Sequence, residues 1–85
     1  MTALRDQILE ILAKQALLQP SDLKLDARPE ALGLDSLALV EAIFALEEAF
    51  DISIPFNAQD PGASTFDTST IGAVVAGVEA LVAAR

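Results

Sequence analysis

The chain has 85 residues, 53% of them hydrophobic, and carries thirteen Asp or Glu against five Lys or Arg, a formal charge of −8. So acidic a balance argues against nucleic acid and anionic lipid as partners and favours basic proteins. There is no Cys and no His, which excludes disulfides, thiolate chemistry and the commonest catalytic base and zinc ligand, and fits a reducing compartment.

The length corresponds to a single domain over residues 1–85, small enough that core burial must be efficient. Charge is unevenly spread: no Lys or Arg lies between Arg28 and Arg85, whereas Glu30, Asp35, Glu41, Glu47, Glu48, Asp51, Asp60, Asp67 and Glu79 all fall there. The first residues carry Arg5, Asp6 and Glu10 and lack the apolar core of a signal peptide. The weakly polar run over 71–84 is interrupted by Glu79 and is too short to span a bilayer. The expectation is a cytoplasmic protein without membrane insertion.

In chain order, Leu4, Ile8, Ile11 and Leu18 recur at helical spacing, with Gln15 the polar member of their stripe. Thr2 is a candidate N-cap and Gln19-Pro20 a stop, since proline disfavours helical geometry in the residue before it, so a first helix is predicted from about residue 3 to 18. Residues 19–35 form a long loop in which Leu23, Leu25, Leu32 and Leu34 are spaced as anchors onto the helices. A loop of that length in so small a domain is packed or functional more often than idle.

A second helix is predicted over 36–50, followed by "DISIPF", where Pro55 argues against a lasting strand. The segment 57–68 is rich in Asp, Ser, Thr, Pro and Gly, with Pro61-Gly62 marking a turn and room for one short helical turn. A final helix over about 69–83 puts Ile71, Val74, Val75, Val78, Leu81 and Val82 on one core-facing side. Gly72 and Gly77 each cost that helix about 1 kcal/mol relative to Ala, so packing must hold it. The fold class is therefore all-α, a small bundle of three principal helices and a variable fourth, with a long loop between the first and second.

The second helix carries more than one stripe. Leu39, Ile43, Leu46 and Phe50 make a sufficient core seam. Leu37, Val40 and Phe44 form a second line, rotated by about 120° at 100° per residue, and Glu41, Glu47 and Glu48 flank it. Ala38, Ala42, Ala45 and Ala49 form a third. The second line either packs inside against the loop or stands outside as an apolar strip rimmed by carboxylates, the construction of a docking surface; Leu37 and Phe44 are the preferred exposed anchors.

Ser36 opens this helix. Asp35 or Ser36 can cap it, although neither completes a capping box because Ala38 and Leu39 stand three residues on. Nucleophilic catalysis is poorly served: there is no His, the only lysines are Lys14 and Lys24, and "GLDSL" is not a nucleophile elbow. A metal site is no better supported, for "DISIPFNAQDPG" lacks the ligand pattern of a calcium loop. A third option beside capping is modification: a phosphate esterified in a helix's first turn sits near free N–H groups and the positive end of the macrodipole, a site suited to an anion.

At these residues the chain resembles the acyl carrier protein family, the phosphopantetheine-attachment domains. The matching elements are "LGLDSL" (32–37), Val40-Glu41 one turn on, "ALEEAFDISIP" (45–55) and a final amphipathic helix introduced by "TSTI", together covering nearly the whole chain. The resemblance implies that Ser36 receives the 4′-phosphopantetheine arm of coenzyme A, with Asp35 part of the motif that the phosphopantetheinyl transferase recognises. It implies that the chain is a carrier and not itself an enzyme: the arm's thiol holds an acyl or aminoacyl group as a thioester, partly sheltered between the helices.

The resemblance further implies that a loading ligase or synthase docks through a basic patch onto Leu37, Val40, Glu41, Phe44, Glu47 and Glu48, with the carrier itself expected to be monomeric. Two departures are visible. Fatty-acid-synthesis carriers often place a further acidic residue after the Asp-Ser-Leu triplet, where this chain has Ala38-Leu39, and the stretch from Pro55 to Ile71 is longer than the family's usual connection. Both point to a specialised fatty-acid, polyketide or secondary pathway. The alternative is an acidic helical interaction module with no prosthetic group.

Overall fold

The computed structural model describes residues 3–56 and 66–84, which form three α-helices with no strand among the described residues. They are α1 (Ala3–Ala16), α2 (Ser36–Phe50) and α3 (Ile71–Ala84), with short 3-10 turns at Pro20–Asp22 and Pro29–Leu32 in the long connection. The all-α bundle expected from the periodicity is present, and α2 has the expected bounds. The candidate cap Thr2 and most of the 57–68 segment lie outside the described residues.

The end of α1 differs from expectation. The helix stops at Ala16, before the proline, because Leu17 turns into the left-handed region at φ 59. Its N–H bonds Lys14 O at 3.3 Å and that of Leu18 bonds Ala13 O at 2.9 Å, satisfying carbonyls of the last turn. The buried face of α1 is also rotated from the expected stripe. Ile8, Leu12 and Ala13 are fully buried, whereas Leu4, Ile11 and Leu18 pack half-buried at the margin. A helix wedged against both α2 and α3 buries a wider arc than a single stripe.

From α2 the core takes Ala42, Ile43, Leu46 and Phe50, with Leu39 at its edge; from α3 it takes Ile71, Val74, Val75 and Val78. Leu23 and Leu34 plug the long connection into this core, and Leu32 packs half-buried against it. Leu25, expected as a fourth anchor, is 43% exposed. Its backbone is the anchor instead: Leu25 O accepts from Gly72 N–H at 2.7 Å, and Ala27 O accepts from Ile71 N–H at 2.9 Å.

These bonds complete the start of α3. A helix begins with four N–H groups that have no partner within it. Here Ile71 and Gly72 donate to the connection, Ala73 to Thr70 Oγ1 at 3.1 Å, and Val74 to Thr70 O at 3.1 Å. Thr70 is therefore the cap, and α3 starts at Ile71 instead of the expected Ser69. Gly72 is needed where the connection comes so close, since a Cβ there would meet Leu25 O at 3.0 Å. At the other side of the bundle Arg5 and Glu79 pair at 3.0 Å, bridging α1 to α3.

Candidate functional site

The site is built by the turn that feeds α2. Gly33 ends the Pro29–Leu32 turn at φ 87, a left-handed conformation that glycine adopts without steric cost. Leu34 N–H then bonds Pro29 O at 2.9 Å while the Leu34 side chain drops into the core. With Leu34 pinned inside, the next two residues are brought to the surface. Asp35 is extended, and its Oδ1 accepts from Ala38 N–H at 2.9 Å, a side-chain N-cap. Ser36 is the first residue of α2, and it is exposed.

Ser36 stands on the rim of an open cleft of about 510 Å³. One wall is Arg28, Pro29 and Glu30; the apolar lining is Leu34, Leu39 and Phe56; the far rim is Thr68 and Ser69, just before α3. The Asp67 carboxyl beside that rim is held below the ordinary carboxylate range by hydrogen bonds from the Ser69 hydroxyl and from its N–H, the latter at 2.9 Å. The turn before α3 is thereby closed by an ionised group. A bulky substituent on the Ser36 hydroxyl has free passage outward and a groove of mixed polarity beside it, so these residues fit a phosphopantetheine arm in size and chemistry.

The second line of α2 is an outer face. Leu37 is 68% exposed and Phe44 59%, with Val40 half-buried between them. Glu41 and Glu48 are exposed alongside. Glu47 is different: it is half-buried, and its Oε2 accepts from Ile54 N–H at 2.7 Å while its backbone oxygen accepts from Ile52 N–H at 3.1 Å. With Asp51 turned left-handed at φ 54, these bonds fold residues 52–54 back so that Ile54 enters the core. Glu47 thus holds structure as well as contributing charge.

The cleft residues Arg28, Phe56, Thr68 and Ser69 were not singled out by sequence pattern. They come from both connections, Arg28 from the one before α2 and Phe56, Thr68 and Ser69 from the one after it, and no local spacing links 28, 56 and 68–69. The one available signal was that Arg28 is the last basic residue before Arg85.

Comparison with known proteins gives one family. The phosphopantetheine attachment site family matches residues 6–78. The acyl carrier protein of Sulfurovum sp. (strain NBC37-1) is 46% identical over 54 residues, 62% of this chain and 72% of the relative. That of Wolinella succinogenes is 43% identical over 54 residues, 62% of this chain and 71% of the relative. That of Campylobacter fetus subsp. fetus is 37% identical over 54 residues, covering 62% and 70%.

The match sets aside an interaction module lacking a prosthetic group. Members of this family carry rather than catalyse, and enzymes act on the acyl chain they hold. No helix among the described residues is long and apolar enough to cross a membrane. The chain belongs to the phosphopantetheine-attachment family and is an acyl carrier whose covalent prosthetic group is 4′-phosphopantetheine.

Proposed function

We propose that Ser36 is the attachment point, that residues 1–85 act as one monomeric carrier domain, and that the cargo is an acyl or aminoacyl thioester of a specialised pathway. The observation that carries this reading is the placement of Ser36, exposed at the mouth of a cleft and held there by Leu34 behind it and the Asp35 cap beside it. When bound, the arm supplies a terminal thiol for thioester formation. The chain's own residues orient and present it. Leu34 and the α2 N-terminus fix the hydroxyl's position, and in a chain with no His its activation is left to a phosphopantetheinyl transferase.

Leu37, Val40 and Phe44, rimmed by Glu41, Glu47 and Glu48, serve as the docking face for that transferase and for a loading ligase or synthase with a basic patch. Exposed apolar anchors give such an interface its buried centre, and carboxylates steer basic partners onto it. The specialised pathway is supported by Ala38 and Leu39, which leave the front of this face without a carboxylate; Leu39 is instead committed to the cleft lining.

Incubation with labelled coenzyme A and a permissive transferase tests the attachment. The native chain is expected to take up one equivalent of label and Ser36→Ala none. Labelling of both to the same extent would move the attachment elsewhere and end this reading.

A further inference from the structure

Among the described residues lining the cleft at Ser36, Arg28 is the single cation, and the lining also holds the carboxylates of Glu30 and Asp35. Its only ion pair among the described residues is loose: the guanidinium stands 3.8 Å from Glu30 Oε1, and the two side chains are 76% and 72% exposed. Such a pair in open solvent holds neither partner firmly. The backbone beneath is fixed, because Pro29 is buried and Arg28 O accepts from Ala31 N–H at 3.0 Å. Arg28 is therefore a mobile, weakly engaged cation on a rigid base.

A phosphodiester on Ser36 would add an anion to a cleft that already has two carboxylates, in a chain of charge −8. Asp35 Oδ1 is committed to its cap, so it does not vacate the site. The guanidinium fork matches two phosphate oxygens better than it matches a distant carboxylate. No Lys or Arg lies between Arg28 and Arg85, and Arg5, Lys14 and Lys24 do not line the cleft, so the cation that can answer the new charge from within it is Arg28.

We propose, resting on attachment at Ser36, that Arg28 is a positioning residue for the prosthetic group. It leaves Glu30, pairs with the phosphodiester, and lays the arm along the cleft over Leu34, Leu39 and Phe56 toward Thr68 and Ser69. A docking enzyme that brings its own cation to the phosphodiester returns Arg28 to Glu30 and frees the arm. No bond is made or broken in this exchange; one guanidinium changes partners.

The test uses the full chain carrying an arm labelled with ¹³C and ¹⁵N. Intact mass, with Ser36→Ala as control, first reports attachment; failure there removes the Ser36 assignment and this proposal with it. On the loaded protein, the ³¹P shift, the amide ¹⁵N relaxation of the pantetheine and its contacts to the Phe56 ring are compared in wild type, Arg28→Gln and Arg28→Lys.

In wild type the arm's amides are expected to be more ordered than in free pantetheine and to touch Phe56. Arg28→Gln should move the ³¹P resonance and return the amides to the free value, and added salt should do the same to wild type. Arg28→Lys, which keeps the charge without the fork, should fall between. All apo variants should melt alike, separating this effect from folding. An arm as mobile in wild type as in free pantetheine, or a ³¹P shift and amide order unchanged by Arg28→Gln, would overturn the proposal while leaving Ser36 in place.

Discussion

The Asp35 carboxylate holds the Ala38 N–H at 2.9 Å, so replacing it by alanine leaves that donor to water and loosens the first turn of α2. Losing such a cap costs about 1 kcal/mol. Asp35→Ala should therefore lower stability to denaturant by that amount, while Asp35→Asn, which caps comparably, should keep most of it. The pair also separates two duties of the motif aspartate. If the transferase reads the charge, Asp35→Asn should slow arm attachment without the stability loss; equal attachment rates for Asn and wild type would make capping the residue's whole role. The cap could be narrowed to Asp35 or Ser36 from the sequence because capping is local chemistry, fixed within three residues; the structure assigns it to Asp35. Leu17 could not be read in this way. An apolar residue at the end of an apolar stripe looks like one more turn of helix, and only the turn of the chain after Ala16 sends it out to 91% exposure in a left-handed conformation.

At the scale of elements, the two glycines of α3 were legible as a cost and not as a cause. Sequence alone says that Gly77 weakens its helix by about 1 kcal/mol relative to Ala. The structure supplies what offsets it: the Phe66 ring lies against the glycine, and a Cβ there would come 2.5 Å from Cε1 and 2.8 Å from Cζ of that ring. Phe66 is buried, so its ring cannot simply swing into solvent without losing its own burial. Overpacking of this kind costs about 1–3 kcal/mol, which exceeds the helix-propensity gain. Gly77→Ala is thus expected to destabilise in urea unfolding, whereas adding Phe66→Leu should restore part of the loss. A single Gly77→Ala variant more stable than wild type would mean that the ring yields freely. The same division holds elsewhere. The extent of α2 and the seam of Leu39, Ile43, Leu46 and Phe50 follow from period alone, but the docking of Leu25 and Ala27 carbonyls onto α3 depends on two segments far apart in sequence.

For the whole molecule, the excess of eight negative charges is plain in the composition, while its consequence depends on how few of them the fold neutralises. The ion pairs found among the described residues are Arg5 with Glu79 at 3.0 Å and Arg28 with Glu30 at 3.8 Å, and both are exposed enough that each contributes at most about 1 kcal/mol. Salt acts on the fold in two opposed ways. It weakens these pairs, and it screens the repulsion among carboxylates gathered on one compact body, cutting it off beyond about 8 Å at physiological ionic strength. With thirteen acids against five bases, repulsive pairs outnumber attractive ones, so the second effect should win. Raising sodium chloride from about 10 mM to about 150 mM, a step that shortens the screening length from roughly 30 Å to 8 Å, is expected to raise the melting temperature. For a domain of this size each kcal/mol gained corresponds to about 4–8 °C. Glu48→Lys, on the exposed face of α2 and away from the Glu47 bond to Ile54, removes two units of net negative charge and should shrink the salt response. Thermal melts of the two proteins across that salt range decide the matter. A melting temperature that stays flat or falls in wild type would show that the carboxylates are spaced widely enough to ignore one another, and that their clustering along α2 exists for partners rather than at the fold's expense.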